Sequence, residues 1–414
     1  MTDYYSKYFT KTLKDSPKDE ESINAKLLMR GGFISKQMAG VFTLLPLGLK
    51  VVNKINKIIR EELNSIGCQE VSMPAFQSKE LWEKTDRWNT DNNIMYQMKD
   101  NSGKDIGLGY THEEVITEIA TKYIHSYKDL PQAIYQIQTK FRDEPRAKSG
   151  ILRGREFLMK DLYSFHIDEN DRDKYYDKVK QAYENIFKRL GVKAIVTFAS
   201  GGSFSKYSHE FQIISESGED TIWLCEKCQQ AVNNEIIDEY GKNCHECKSK
   251  LVENKSIEVG NIFKLGTRFS KALGLYFADA KGNKNPVEMA SYGIGPTRAM
   301  GSIVEVSHDD KGIIWGETVA PYDIHIINFK NQRSKIKDSN QILKILEDNY
   351  LDILIDDREE VSFGEKLKDA DLIGIPYQII LGEKSKEGEV ELKERKNGES
   401  NMIEIDKIIS RLKH

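Results

Sequence analysis

Residues 141–157 read FRDEPRAKSGILRGREF, five basic and three acidic side chains between two phenylalanines, with turn-forming residues in the middle. Ile134 to Phe141 before it and Phe157 to Phe165 after it are rich in strand formers, which predicts two antiparallel strands joined by a charged loop. Arg142, Glu144, Arg153 and Glu156 then fall near the strand ends, with Arg146 and Lys148 on the loop, so the sheet acquires a cationic mouth. A solvated hairpin laced with surface ion pairs is the plainer explanation of such a run. Against it stands Phe157, four residues after Arg153: a guanidinium beside an aromatic ring suits a nucleotide, one for phosphate and the other for base.

Working outward, residues 43–66 place Leu47, Val51, Ile55, Ile58, Ile59 and Leu63 at helical spacing, and Gly67 stops that helix ahead of a strand-like CQEVSMPAF that ends around Pro74. A further helix is expected over 171–190. Residues 287–305, VEMASYGIGPTRAMGSIVE, read as a strand entering a glycine-bounded turn, with Pro296 at a helix start and Arg298 in its first turn. That suits anion binding, although the turn lacks the full GxGxxG of a dinucleotide site. From about Pro321 the pattern changes to strands alternating with helices: DIHIINF, a helix around 339–349, DILIDD, GEKLKDADLIG, PYQIILG, EVELKER and a final helix from about Asp406. Such alternation implies a separate α/β domain.

CEKC at 225–228 and CHEC at 244–247 hold four of the five cysteines, with fifteen residues between the pairs. Two such turns can give four thiolates to one tetrahedral zinc, and four sulfurs leave no open coordination position, so Cys225, Cys228, Cys244 and Cys247 are read as a structural zinc site. The alternatives are two disulfides, which a reducing cytosol disfavours, and a knuckle that has lost its metal. His245 reads as a bystander and Cys68 as packing.

The chain of 414 residues is 39% hydrophobic and 30% charged, with a net charge of −4. Its length supports two or three cores. The charge argues against a globally basic nucleic-acid coat but leaves room for a local basic surface. There is no run of 18 apolar residues and no apolar centre near the start, so a cytoplasmic protein with no membrane partner is expected.

The order of a long helix ending in a strand with Pro74, FRDE with a downstream RxxxF, and GIGPTR opening a helix resembles the three signature motifs of class II aminoacyl-tRNA synthetases. LMRGGFISKQMAGVFTLLPLG, THEE, LPQAIYQIQTKFRDE, GREFLMKDLYSF, SHEFQ, EVGNIFKLGT and DDREEVSFGEKLKDADLIGIPYQIILG extend the likeness to bacterial-type prolyl-tRNA synthetases over nearly the whole chain, with only about 221–256 outside it. The resemblance implies an α+β catalytic domain with an antiparallel sheet over 1–320, a zinc-knuckle insertion over 221–256 within it, and a C-terminal α/β anticodon-binding domain over 321–414.

It also implies an ATP-dependent proline--tRNA ligase that uses Mg²⁺, acts on L-proline and tRNA(Pro), and forms a homodimer. Arg142 would bridge the amino acid carboxylate and the α-phosphate, Glu144 would fix the adenine, and Arg153 would hold the outer phosphates. Phe157 and Arg298 would sandwich the base, while Glu258 would face ATP or its magnesium. Thr111 and Glu113 would hold the proline nitrogen, Phe263 would wall the ring, and His209 and Glu210 stand nearby; a threonine before two glutamates is also a respectable helix cap. Lys393, Arg395 and Lys396 are candidate RNA contacts.

Three local departures stand out. Tyr110 replaces the usual proline before THEE, AKS at 147–149 replaces PRF, and GPTR replaces GVSR. The usual large editing domain between the second and third motifs is also missing, so clearance of mischarged alanine in cis is not expected. A regulatory paralogue, a threonyl or seryl enzyme, and a ligase acting on a carrier protein are the competing readings. The first fits poorly with retained phosphate-binding arginines, the second with a closed cysteine site, and the third with the C-terminal domain.

Overall fold

Gln132–Phe141 and Glu156–His166 run antiparallel in an unbroken register from Gln132 opposite Phe165 to Phe141 opposite Glu156. The charged stretch is therefore the connection at one end of a two-stranded ladder, as its sequence predicts. These relationships come from a computed structural model, which describes every residue except 18–19, 91–93, 146, 203, 328–338, 383–387 and 413–414. Arg146 and the end of DIHIINF lie outside the described residues.

The chain divides into two compact units: residues 38–41 with 55–302, and residues 1–37 with 42–54 and 303–414. In the first unit the ladder continues through Glu288–Ile294 and Val252–Gly266, both antiparallel, into a sheet of nine strands among the described residues. Glu169–Arg189 is a helix capped by Asp168, whose side chain accepts from the amide of Asp171 at 2.8 Å. The predicted long helix forms as Pro46–Ser65, with Pro46 in its first turn, so Val41–Leu44 is left as a strand. Leu47, Val51, Ile55, Ile58, Ile59 and Leu63 are all buried, and Gly67 ends the segment at φ +88°, where a side chain would be strained.

The cysteine segment is not a separate lobe. Asp220–Leu224 pairs with the start of Val252–Gly266 and with Ala231–Asn233, which in turn lies parallel to Ile195–Ser200. The segment thus widens the same sheet that carries the charged ladder.

In the second unit the strands run in the order Thr2–Tyr4, Ile353–Asp356, Ile324–Ile327, Tyr377–Ile380, Glu389–Glu394 and Ser400–Glu404. The first four are parallel and the last two antiparallel. Ile324, Ile326, Ile342, Leu346, Ile353, Ile355, Ile379 and Val390 form its core, as continuous apolar runs in a parallel sheet require. Thr2–Tyr4 is a three-residue edge strand whose backbone pairing, rather than any side-chain period, attaches the N-terminal segment to this unit. Residues 1–37, 42–54 and 303–320 cluster with the stretch from 321 onward in this compact unit. Ser400–Glu404 is a further strand that the sequence reading missed.

Candidate active site

Period two puts Phe157, Met159, Asp161 and Tyr163 on one face of Glu156–His166. Across the neighbouring strands, Tyr163, Ser291 and Phe263 form one cross-strand row, and Asp161, Gly293 and Asn261 the next. These rows floor a cavity of about 630 Å³ whose rim includes Thr111, Glu113, Arg142, Glu258 and Arg298. Seven of the sequence candidates, Thr111, Glu113, Arg142, Phe157, Glu258, Phe263 and Arg298, thus meet in one place from four stretches of chain.

Arg142 follows directly on the Gln132–Phe141 strand. Its guanidinium lies 5.2 Å from the centre of the Phe157 ring and donates from Nη2 to the Tyr110 carbonyl at 3.4 Å. Burial, then the charge of Arg298, push it below the ordinary arginine value. Arg298 sits in the first turn of Pro296–Val306 and donates from Nε to the Leu152 carbonyl at 2.7 Å. Two guanidinium groups that act on one another favour negative charge beside them, and the Glu258 carboxylate acts on both.

Glu144 and Arg153 do not line this cavity. They pair with each other at 2.9 Å on the connecting segment, where Arg153 also meets Glu219 at 3.0 Å and remains 42% exposed at its side chain. The Arg153 end of this pair is exposed, while the Glu144 carboxylate is largely covered.

In the same cavity, Glu113 opens a helix, Glu113–Ala120, and its carboxylate accepts from the Thr111 hydroxyl. The expected cap is absent: the residue before the helix is His112, whose side chain makes no capping bond. Instead His112 is fully buried. Nε2 lies 3.0 Å from the Pro74 carbonyl, which can only accept, so Nδ1 accepts from the Lys140 ammonium at 2.7 Å. Burial, reinforced by Lys140, pushes the imidazole down to about 4. Lys140 also pairs with Asp161 at 2.9 Å.

Beside Arg298 lies a group of carboxylates. Glu258 accepts from its Nη1 at 3.1 Å. Burial, then the Glu258 charge, raise Glu210 to about 8 and also raise Asp220. Glu210 is further held by Gln212 at 2.9 Å and Asn233 at 2.8 Å. His209, by contrast, lies 2.8 Å from the Tyr176 hydroxyl and lines another cavity, away from Thr111 and Glu113.

The four knuckle sulfurs lie within 4.8 Å of one another, with contacts of 3.3, 3.4 and 3.7 Å. None is bridged. A zinc at about 2.3 Å from each would space them roughly 3.8 Å apart. The two turns repeat one geometry: Gln229 donates to the Cys225 carbonyl and Lys248 to the Cys244 carbonyl, at 2.8 and 2.9 Å. Gln229 and Lys248, each just after its second cysteine, have φ of +62° and +60°. Two unrelated stretches paying the same left-handed strain to aim four sulfurs inward fit a tetrahedral cation. His245 is outside the cluster, stacked on Tyr240 with ring centres 3.7 Å apart, and Cys68 is buried against Tyr175.

In the second unit Lys393 pairs with Asp371 at 2.5 Å, and Arg395, 3% exposed, forms a two-pronged pair with Asp309 at 2.6 and 2.7 Å. Of the three cations offered for RNA contact, these two are engaged internally and Lys396 is exposed.

Sequence reasoning missed Asp161, Tyr163 and Arg87. Alternation from Phe157 would have found the first two. Arg87 lies between elements with no periodic pattern around it, so only its contacts reveal it.

Comparison with known proteins gives this geometry a lineage. Residues 96–307 match the tRNA synthetase class II core domain (G, H, P, S and T), and residues 323–414 match the anticodon binding domain. The proline--tRNA ligase of Sulfurimonas denitrificans is 39% identical over 439 residues, covering 99% of both chains. That of Rickettsia bellii is 40% identical over 418 residues, covering 97% of this chain and 96% of its own. The proline--tRNA ligase of Dehalococcoides mccartyi aligns at 32% identity over 558 residues, so at least 144 aligned positions have no residue in this chain of 414. In structure, the prolyl-tRNA synthetase of Cryptosporidium parvum complexed with L-proline and AMP superposes with a TM-score of 0.76 at 21% identity, covering 94% of this chain and 73% of that one. With full-length identity near 40% to such relatives, the chain belongs to the proline--tRNA ligase family of class II tRNA synthetases.

Proposed function

We propose that the cavity activates L-proline with ATP and passes the acyl group to the 3′ end of tRNA(Pro). A proline carboxylate oxygen attacks the α-phosphorus, the bond to the bridging oxygen breaks, and diphosphate leaves; the tRNA hydroxyl then displaces AMP from the adenylate. Little acid-base chemistry is needed, so the protein's work is in-line positioning and neutralisation of charge. Arg142 holds the carboxylate against the α-phosphate, Phe157 and Arg298 enclose the adenine, and Glu144 fixes its amino group. Arg153 exchanges Glu144 for the outer phosphates. Thr111 and Glu113 receive the secondary ammonium, and Phe263 packs on the ring.

Glu258, whose field already raises its carboxylate neighbours, is an oxygen donor suited to Mg²⁺, which supplies charge neutralisation on the phosphates when bound. Cys225, Cys228, Cys244 and Cys247 hold a structural Zn²⁺. Val71 and Tyr123, 38% and 73% exposed, border an apolar groove with Met73, Ile116 and Ile119; a second copy of the chain covers it, giving a homodimer. No described helix is long and apolar enough to cross a membrane, and the protein works in the cytoplasm.

The observation that carries this reading is the convergence, in one cavity, of Arg142 and Arg298 with the Thr111–Glu113 pair. Proline-dependent exchange of pyrophosphate into ATP tests it, with threonine, serine and alanine as comparisons. Exchange is expected with proline above all; its absence overturns the assignment.

A further inference from the structure

Arg87 is 5% exposed, yet it stands at the wall of the active cavity among four aromatic rings. Its guanidinium carbon lies 4.8 Å from the centre of Trp82, 5.0 Å from Phe204, 5.4 Å from Phe269 and 5.5 Å from Tyr110. Its edge is occupied as well. Nη1 meets Glu114 Oε1 at 2.8 Å and Glu113 Oε2 at 3.5 Å, and Nη2 donates to the Tyr110 hydroxyl at 3.1 Å. Burial disfavours the charge, but Glu114 and Glu113 together hold the guanidinium above its ordinary value.

Two adjacent glutamates, both almost fully buried, open the helix here. Glu114 takes Arg87 and the Thr85 hydroxyl on one oxygen, while its other oxygen has no side-chain partner among the described residues. Glu113 faces the cavity and accepts from Thr111. Glu113 thus presents a carboxylate to the cavity beside the Thr111 hydroxyl, which suits an ammonium ligand. The rings make a second connection: Phe204 lies 5.0 Å from Phe263, the proposed wall for the proline ring, and 5.0 Å from Arg87.

We infer that Arg87 is a positioning residue for the amino acid subsite, fixing the Glu113 carboxylate toward the ligand nitrogen while its face holds the Phe204–Phe263 wall. It acts through these neighbours and not on the reacting atoms. Only a planar fork can reach two carboxylates and a hydroxyl along its edge and still stack on rings, so lysine cannot replace it. This inference rests on the proline-activating reading above.

The test is pyrophosphate exchange by the full-length protein carrying Arg87→Met, Arg87→Lys, or Arg87→Met with Glu114→Gln, the last removing the carboxylate that Arg87→Met leaves uncompensated. Thermal unfolding is followed alongside. Arg87→Met is expected to raise the proline KM roughly tenfold or more while the ATP KM stays within about twofold. The double variant is expected to regain thermal stability without regaining the proline KM. If it regains both, Arg87 merely offsets Glu114 and the inference fails; it fails equally if the ATP and proline KM values rise together in a stably folded variant. Absence of proline-dependent exchange in the parent would instead overturn the underlying assignment.

Discussion

Arg298 donates from Nη1 to the carboxylate and to the main-chain carbonyl of Glu258, both at 3.1 Å, while its Nε is held by Leu152. The guanidinium plane is thereby fixed at the cavity rim before any ligand arrives. Such preorganisation matters most where charge is being moved. Arg298→Ala should lower kcat/KM for pyrophosphate exchange by roughly 10²- to 10³-fold, and Arg298→Lys should recover little of it, because an ammonium cannot offer the same plane. Steady-state kinetics check this; a lysine variant near parental activity would contradict it.

The knuckle prediction concerns stability more than rate. Because the strands of the cysteine segment widen the sheet, losing the proposed metal should loosen the strands next to Glu210 and Glu258. About one zinc per chain is expected by metal analysis, and Cys244→Ser should lower both zinc content and Tm, the latter by roughly 5 °C or more. A protein purified without zinc and with unchanged Tm after chelation would refute the structural role.

His325 lies at the centre of the second unit's sheet, fully buried, with neither ring nitrogen hydrogen-bonded among the described residues. Burial pushes it down to about 4 from 6.5. Between those values the unfolded chain binds a proton that the folded one refuses, so its contribution to stability is intact above pH 6.5 and lost as pH falls toward 4, by up to roughly 3 kcal/mol. Urea unfolding of His325→Leu across pH 4–7 should show a shallower decline than the parent; parallel curves would show that the histidine is not responsible.

Alanine is smaller than proline and enters any pocket that proline fills, and binding discriminates by only about 10- to 200-fold per methylene. The relative from Dehalococcoides mccartyi has at least 144 aligned positions that this chain lacks, and the prediction is that no second hydrolytic site replaces them. The pure protein should leave alanyl-tRNA(Pro) intact over minutes in a deacylation assay, and rapid hydrolysis would disprove this.

The apolar groove beside Val71 and Tyr123 makes its own prediction. Light scattering at micromolar concentration should give a dimer, and Val71→Asp with Tyr123→Asp should shift it toward monomer with the sheet intact by circular dichroism. A monomeric parent would remove the proposed partner.

Local physics reaches far into this chain. The charged loop between strands, the helix with its apolar stripe and glycine stop, the cysteine turns, and most of the α/β alternation after Pro321 follow from periods of 2 and 3.6 and from the conformational limits of proline and glycine, which neighbouring residues set among themselves. The same reasoning placed Lys393 and Arg395 on a strand and turn but could not see Asp371 and Asp309 waiting for them. Nor could it see that Arg153 pairs with Glu144 and Glu219, that Thr2–Tyr4 completes a sheet more than three hundred residues away, or that Arg87 is ringed by four aromatics. Those facts depend on which surfaces meet, and a contact between distant segments leaves no trace in the spacing of either one. Sequence determined the elements and the chemical types the site would use; tertiary structure decided which charges face a ligand and which are spent on one another.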